Sequence, residues 1–176
     1  MRLLESITQF DTRMFLWVTG SKHQQGLAKT ARMVSRSGDG YLQIALPLLL
    51  VFLGLEHATT LFQTVIVAFA IQLPIYWVLK NSFKRKRPPQ AIPSFRAFIV
   101  ASDEFSFPSG HTSAAFLLTF LIASFYGMAA LPLLAWAICV GASRVILGVH
   151  FPTDIVAGIL LASCSASLSL SLLGLN

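Results

Sequence analysis

The amino-acid sequence predicts an all-α integral membrane protein: a helical bundle of about five transmembrane helices, preceded by an N-terminal amphipathic helix in the membrane interface. The composition indicates this, because 55% of the 176 residues are hydrophobic and only 11% are charged, against roughly 25% charged residues in soluble domains. Mean hydropathy is correspondingly high, at +0.71. Long apolar runs also recur along the chain, and a helical span needs about 20 such residues. At this length we expect one domain, residues 1–176.

The first helix is predicted to lie on the membrane and not across it. Between residues 3 and 18, apolar side chains recur at the spacing of three and four that places them on one helical face. They are Leu3, Leu4, Ile7, Phe10, Met14, Trp17 and Val18. Glu5 and Asp11 fall on other faces, as in interfacial helices; the alternative is a poorly hydrophobic transmembrane helix. Residues 21–37 form a second polar stretch, so we assign residues 1–37 to interfacial helices.

Five later runs are apolar enough to be transmembrane helices. They are residues 41–55, 59–79, 109–126, 129–149 and 155–173. Because the first run is short, we expect its helix to extend backward through Gly38 and Asp39. Five spans place the N-terminus, residues 80–107 and residues 143–153 on one side of the membrane, so the polar chemistry gathers on that side.

The one long polar segment is Lys80–Phe107. Three prolines within it exclude a long helix, and its apolar residues indicate a loop that rests on the membrane or covers a cavity. At its start, Lys80, Lys84 and Arg87 share one face if the preceding helix continues. Three cations repel one another unless an anion binds among them, and the planar arginine side chain suits phosphate oxygens. The alternative is a basic cluster that ends a membrane span.

The run Pro108-Ser109-Gly110-His111 comes directly before an apolar segment. Proline and serine are typical of a helix start, with Ser109 at or near the N-cap. A helix N-terminus presents free N–H groups and the positive end of a dipole, which together bind anions, and Gly110 lets a ligand approach the backbone closely. We expect His111 in the first turn, beside the bound anion. The alternative is an ordinary cap next to an interfacial histidine.

Arg144 and Asp154 are the only formal charges in the last 72 residues, 105–176, and they bracket His150. A charge in an apolar segment costs several kcal/mol unless it is paired or hydrated, so we expect both to have a use. A carboxylate that accepts one imidazole N–H fixes the tautomer and leaves the other nitrogen free to attack. The alternative is a structural ion pair between the two charges.

All three clusters are predicted on the same side of the membrane. Together they contain two histidines, one carboxylate, several fixed cations and a helix N-terminus. This set fits phosphoryl transfer through a phosphohistidine, because cations neutralise charge on the phosphoryl oxygens while one histidine attacks and the other protonates the leaving group.

The three clusters resemble the signature of the type-2 phosphatidic acid phosphatase superfamily, whose site is shared with vanadium-dependent haloperoxidases. The motifs of that family are Lys-x6-Arg-Pro, Pro-Ser-Gly-His and Ser-Arg-x5-His-x3-Asp. All three are complete, in order and at the family spacing. They stand here as Lys80…Arg87-Pro88, Pro108-Ser109-Gly110-His111 and Ser143-Arg144…His150…Asp154. The resemblance therefore covers residues 80–154 directly.

The resemblance implies a role for each matched residue. His150 resembles the nucleophile, Asp154 the carboxylate that holds it, and His111 the general acid for the leaving group. The implied phosphate clamp consists of Lys80, Arg87, Ser109, Gly110 and Arg144. No metal and no other cofactor is implied. The weaker candidates for contact with a headgroup, at variable motif positions, are Lys84, Arg85 and Lys86.

The resemblance further implies a metal-independent membrane phosphatase that acts on a lipid phosphate or diphosphate. Candidate substrates are undecaprenyl diphosphate, phosphatidylglycerol phosphate, phosphatidic acid and lipid A phosphates, and nothing in the sequence separates them. A lipid phosphotransferase using the same site and a non-catalytic lipid-binding or transport protein are the alternatives. A metal site made from the two histidines with Asp154, Asp103 and Glu104 is disfavoured, because the fixed cations would repel a metal ion.

The net charge of +6 bears on partners and location. On a membrane protein, basic excess indicates membrane lipids with anionic headgroups or a phosphorylated substrate, and no soluble domain is left to bind nucleic acid. The resemblance implies a multi-pass protein of the bacterial cytoplasmic (inner) membrane. We expect its site on the extracytoplasmic face, as in many bacterial relatives, although counting positive residues favours the cytoplasmic face. The oligomeric state is not predicted.

Overall fold

The computed structural model describes residues 2–20 and 24–175, and the side chains of residues 8–20 and 24–175. The described part of the chain is helical and contains no strand, which confirms the predicted fold class. The helices are α1 (Arg2–Thr19), α2 (Gln24–Ser37), α3 (Tyr41–Phe52), α4 (Ala58–Phe83), α5 (Pro88–Ala91), α6 (Gly110–Tyr126), α7 (Leu131–Ile146) and α8 (Pro152–Leu172). A 3₁₀ turn, Gly127–Ala130, joins α6 to α7.

Helix α6 is the centre of the bundle and packs against α4, α7 and α8. Its sequence is apolar on nearly every side, as in helices surrounded by protein, and Leu117, Leu118 and Leu121 are completely buried. Helix α8 lies especially close to the start of α6. A Cβ added to Gly158 of α8 would be 2.8 Å from the carbonyl oxygen of Ser109, the N-cap of α6. The missing side chain therefore lets α6 and α8 begin side by side.

Within the described residues, three stretches are long and apolar enough to cross a membrane, namely Ala58–Ala91, Gly110–Ile146 and Pro152–Leu172, and α3 is a shorter apolar helix. The second stretch contains both α6 and α7, which pack against each other after the turn that joins them. The structure thus supports several membrane-crossing helices, and the total of five stays a prediction.

Helix α3 does not extend backward through Gly38 and Asp39, so that prediction is wrong. Gly40 has a φ of 107°, in the left-handed region that favours glycine, and this turn separates α2 from α3. Asp39 therefore lies in a turn at the end of the bundle and not inside a helix.

The predicted single face of Lys80, Lys84 and Arg87 is also wrong. Helix α4 ends at Phe83, where Lys84 follows with a left-handed φ of 46°, and the Lys84 side chain is exposed. Arg87 instead precedes α5 as its N-cap. Lys80 lies on the last turn of α4. It comes together with Arg87 because both side chains donate to Asp103.

The first two helices pack against the bundle at the end where α7 finishes and α8 begins. Helix α1 contacts α7 and α8, and α2 contacts α7. On α1, Phe10, Met14 and Trp17 are exposed, whereas Asp11 and Phe15 are completely buried. The predicted apolar positions Leu3, Leu4 and Ile7, and also Glu5, lie outside the described side chains. Helix α1 therefore has an outward apolar side and an inward side that includes a carboxylate.

The segment after α5 folds over this same end of the bundle. The N–H of Phe98 donates to the carbonyl of Leu147 over 3.0 Å, and Arg32 donates to the carbonyl of Phe98 over 2.7 Å. Phe95 packs against Gly148, where φ is 78° and an added Cβ would lie 2.5 Å from the ring. The segment is thus held as a cover over the ends of α2 and α7.

Candidate active site

The three predicted clusters converge at the covered end of the bundle. Arg87, Gly110, His111, Arg144 and His150 line one cavity of about 1040 Å³. They come from the start of α5, the first turn of α6, the last turn of α7 and the link between α7 and α8. Residues far apart in the sequence therefore face a common space.

His150 and Asp154 form the buried side of this space. The Asp154 side chain has no exposed surface, and its Oδ2 accepts a hydrogen bond from the N–H of Phe151 over 2.8 Å. Nδ1 of His150 lies 3.5 Å from the same oxygen, an ion-pair distance longer than a normal hydrogen bond. Its Nε2 lies 3.4 Å from the guanidinium of Arg87, so this nitrogen faces the cations.

The imidazole of His150 is held neutral. Burial lowers its pKa to about 4, Arg87 and Arg144 act in the same direction, and the Asp154 carboxylate opposes them. A neutral imidazole whose Nδ1 faces a carboxylate carries its proton there and keeps Nε2 unprotonated. The arrangement thus presents a lone pair toward the cationic side of the cavity.

Lys80 and Arg87 are joined by Asp103, a residue of the covering segment. Both cations donate to its carboxylate, and the hydroxyl of Tyr76 adds a hydrogen bond of 2.9 Å. Burial alone would raise the pKa of Asp103, but the bond from Lys80 and the two positive charges outweigh it and lower the pKa to about 2. The Asp103 carboxylate is thus bound to Lys80 and Arg87, the two cations that were predicted to bind phosphate.

Arg144 and Asp154 do not pair with each other. Arg144 is buried and donates to the hydroxyl of Ser35 on α2, and its Nε has no hydrogen-bond partner among the described residues. Asp154 pairs with Arg85, whose Nη1 lies 2.7 Å from its Oδ1. The guanidinium of Arg144 therefore retains donor capacity toward the cavity that it lines.

His111 also has a carboxylate partner, Asp39, whose Oδ1 lies 2.7 Å from its Nε2. Asp39 belongs to the turn between α2 and α3, and it lines the same cavity. Each of the two histidines therefore lies beside one aspartate. This second pair is not predicted from the sequence, whose one signal for it is an aspartate between two glycines, Gly38 and Gly40.

Ser109 is used within the protein. Its hydroxyl caps α6 by accepting from the N–H of Thr112, and its own N–H donates to the carbonyl of Asp154 over 3.0 Å. Gly110 lines the cavity, and an added Cβ there would lie 3.0 Å from the hydroxyl of Tyr76. Contact of these two residues with phosphate stays a prediction.

The cavity extends from the polar side chains along α4. Apolar residues line this part, namely Phe62, Val65, Ile66, Phe69 and Leu73. Tyr76 and Phe62 are separated by about 21 Å of helix. Two buried glutamines, Gln43 and Gln72, also line it, and the amide oxygen of each has no hydrogen-bond partner among the described residues. The space thus combines a cationic end, a few polar amides and a long apolar groove.

A second, smaller cavity of about 440 Å³ opens on the other side of His111 and Arg144, and Arg32 and Arg36 line it. As for metals, no three His, Cys, Asp or Glu side chains come together in the described residues as a metal site would require. Asp103 was a candidate metal ligand in the sequence, but its carboxylate accepts hydrogen bonds from Lys80 and Arg87.

Comparison with known proteins identifies relatives of this arrangement. A family model described as the PAP2 superfamily matches residues 58–175. The chain is 33% identical over 101 residues to the bacitracin transport permease protein BcrC of Bacillus licheniformis, covering 57% of this chain and 50% of that protein. It is 32% identical over 118 residues to the putative undecaprenyl-diphosphatase YbjG of Escherichia coli, covering 65% and 59%. The chain thus spans about half the length of the curated relatives it matches.

Solved structures share the fold. The crystal structure of Aquifex aeolicus LpxE superimposes with a TM-score of 0.77 at 24% identity, covering 91% of this chain and 94% of that one. The first transmembrane PAP2-type phosphatidylglycerolphosphate phosphatase from Bacillus subtilis gives a TM-score of 0.73 at 22% identity, covering 95% and 86%. At these identities the similarity establishes the fold.

The neutral state of His150 can be measured directly. In ¹⁵N-histidine-labelled protein, we expect its imidazole to titrate near pH 4 and to be the neutral Nδ1–H tautomer above that pH. The signal that disappears in His150→Gln is the one from His150. The unfolded chain takes up this proton near pH 6.5, so the group's contribution to stability is present above pH 6.5 and is lost as the pH falls toward 4. A titration near pH 6.5 in the folded protein would contradict the burial argument.

Asp103→Asn should strengthen the binding of inorganic phosphate. A phosphate then no longer competes with a carboxylate for Lys80 and Arg87. We expect Kd to fall about tenfold, or ~1.4 kcal/mol, a modest effect because the carboxylate is partly exposed and screened by solvent. Calorimetric titration of the purified protein measures this, with Glu104→Gln as the matched control on an exposed neighbour. Equal or weaker binding than the control would show that Asp103 does not compete with phosphate.

Proposed function

The chain belongs to the PAP2 superfamily, and on that premise we propose that it is a membrane phosphatase that removes phosphate from a lipid phosphate or diphosphate through a phosphohistidine. One observation carries the proposal. A neutral histidine with a buried aspartate, a second histidine and two arginines meet at the cationic end of a cavity whose remaining length is apolar. Such a cavity accommodates a phosphate and a lipid chain at the same time.

In the first step, the lone pair on Nε2 of His150 attacks phosphorus. The P–N bond forms while the P–O bond to the lipid breaks, and His111 gives its proton to the departing oxygen. Asp154 stabilises the positive charge that develops on the attacking imidazole. Asp39, whose Oδ1 lies 2.7 Å from Nε2 of His111, holds this imidazole in place, so that its other ring nitrogen can face the departing oxygen. The products of the step are the lipid with a free hydroxyl, or a lipid monophosphate, and the phosphohistidine.

In the second step, water attacks the phosphohistidine and His111 accepts its proton. The P–N bond breaks, the electron pair returns to Nε2 of His150, and inorganic phosphate is released. The smaller cavity on the other side of His111 provides a polar route for water and phosphate, with Arg32 and Arg36 along it. No step requires a metal ion.

The cations act on the phosphoryl oxygens in both steps. Lys80, Arg87 and Arg144 neutralise the charge that spreads over these oxygens in the transition state. Since Lys80 and Arg87 hold Asp103 in the structure, substrate binding exchanges one anion for another on cations that are already in place. Little reorganisation of the cations is then needed.

The lipid class is part of the proposal. Polyprenyl diphosphates fit the apolar groove, and a relative is named a putative undecaprenyl-diphosphatase. However, a polyprenyl chain has no polar atoms beyond its phosphates and would leave the buried amides of Gln43 and Gln72 unpaired, which is unfavourable. Hydroxyl or amide N–H groups, such as lipid A or the glycerol headgroup of phosphatidylglycerol phosphate carries near the phosphate, would donate to the two amide oxygens, whereas ester oxygens would pair only with the amide nitrogen of Gln43. We therefore rank these two classes before the polyprenyl diphosphates.

The central test is phosphate release by the purified protein from four lipids, one from each candidate class. We expect His150→Ala to lose at least about 10³-fold in kcat, as on removal of a nucleophile, and to lose the acid-labile phosphoryl group that rapid quenching traps in the wild type. His57→Ala is the matched control, because His57 is exposed and far from the site in sequence. Excess chelator should leave activity unchanged. Full activity of folded His150→Ala would refute the mechanism.

We place the protein in the bacterial cytoplasmic membrane, with the site on the extracytoplasmic face. A cysteine introduced at exposed Gln90, in a variant lacking Cys139 and Cys164, should react with a membrane-impermeant maleimide in intact cells. A cysteine at Leu175 should react only after lysis. The reverse pattern would place the site in the cytoplasm.

A further inference from the structure

We propose that Asp11 and Arg85 are positioning residues for the nucleophile: together they hold the Asp154 carboxylate in the orientation that His150 needs. The proposal rests on the proposed function, because it takes His150 as the attacking group. It assigns part of the support of the active site to α1, which lies outside the segment matched by the family model.

The guanidinium of Arg85 bridges two buried carboxylates. Its Nη1 donates to Oδ1 of Asp154 over 2.7 Å and to the hydroxyl of Thr153 over 2.7 Å. Its Nη2 donates to Asp11 on α1, and its Cζ lies 4.5 Å from the ring centroid of Phe151. Neither carboxylate side chain has any exposed surface. Arg85 is thus fixed by hydrogen bonds and by stacking, with both ends of its fork in use.

These contacts determine how Asp154 can face His150. One of its oxygens accepts from Arg85 and the other accepts from the N–H of Phe151. With both oxygens bound from opposite sides, the carboxylate cannot rotate without breaking a buried hydrogen bond, which is costly. The direction left over is the one in which Nδ1 of His150 lies, at 3.5 Å.

Asp11 completes the support from outside the motif-bearing part of the chain. Its Oδ1 accepts from the N–H of Thr153 over 3.1 Å, and its Oδ2 accepts from the Thr153 hydroxyl. The carboxylate thus lies at the N-terminus of α8, where negative charge is favourable. It also supplies the second anion for Arg85, so the guanidinium is oriented by two partners and not by one.

The location of Arg85 argues against a role in binding a headgroup. Its neighbours Lys84 and Lys86 are exposed, whereas Arg85 turns inward between α1 and α8. The residues that line the large cavity include Arg87 and Arg144 but neither Arg85 nor Asp11. Both therefore act on the reaction only through Asp154 and His150.

The variants that test this are Arg85→Gln and Asp11→Asn in the purified full-length chain. The matched control is Arg13→Gln, which removes an exposed arginine of α1 two residues from Asp11. We expect kcat, per folded protein, to fall about 10- to 100-fold, as is typical when a group that orients a functional residue is removed. KM should stay unchanged, because neither side chain lines the cavity. The control should retain wild-type values.

The pH dependence of kcat/KM distinguishes positioning from simple stabilisation. The charged groups that face His150 are Asp154, Arg87 and Arg144. Without the positive charge of Arg85, the carboxylate attracts the imidazole proton more strongly, so the acid limb should move to higher pH. Asp11→Asn removes a negative charge and should not move it upward. Arg85→Lys keeps the charge but loses the fork, so kcat should fall while the acid limb stays in place.

Two results would overturn the proposal. The first is a lowered melting temperature in both variants with wild-type kcat, which would make the pair purely structural. The second is a raised KM with unchanged kcat, which would place Arg85 against the substrate. If Arg85→Gln does not fold, Arg85→Lys and Asp11→Glu carry the same test. An active His150→Ala would refute the proposed function itself, whereas an inactive His150→Ala beside a fully active Arg85→Gln would refute only the positioning role.

Discussion

The rest of the site depends on one constraint, the burial of the Asp154 carboxylate at the start of α8. A carboxylate removed from water must be paired and hydrogen-bonded. The N–H of Phe151 and the guanidinium of Arg85 meet that need, and they leave one direction, toward His150. The same shielding from water lowers the pKa of this imidazole to about 4. A neutral imidazole beside a fixed carboxylate is therefore a consequence of packing, established before any ligand binds.

The cations face the complementary problem, since positive side chains gathered at one end of an apolar bundle repel each other. The structure resolves it with internal anions: Asp103 lies between Lys80 and Arg87, and Asp11 shares Arg85 with the carboxylate of α8. The two anions differ in a way that matters for function. Asp103 is partly exposed on the covering segment, and in the proposed function phosphate replaces it there, whereas Asp11 is completely buried and remains in place. The site thus has an exchangeable outer ion network and a fixed inner one.

Local sequence signals singled out most of the residues that meet at the candidate site. Such signals are local: Ser109 is marked by a helix-start pattern, and Arg144 and Asp154 stand out as isolated charges in an apolar stretch. The structure brings these segments to one cavity. The prediction that Lys80 and Arg87 share one helical face was wrong because α4 ends at Phe83. The basic residues that follow do not mark this boundary. The partners supplied by other segments, Asp39, Asp103 and Asp11, had no periodic signal. A contact across 16 residues, as between Arg87 and Asp103, or across 72, as between Asp39 and His111, leaves no spacing to recognise.

Helix α1 shows why such a partner is hard to recognise in a membrane protein. Hydrophobic periodicity correctly places Phe10, Met14 and Trp17 on one exposed side, but lipid and protein interior are both apolar, so the pattern does not tell which of them a face will meet. A charge is the better guide, because an unpaired carboxylate is costly in either environment. Asp11 stands on a helix otherwise suited to the membrane surface, and its burial requires a cation and donors from the bundle. That requirement ties a helix at the edge of the bundle to the carboxylate beside His150, and it makes a single aspartate in an amphipathic segment a pointer to the candidate site.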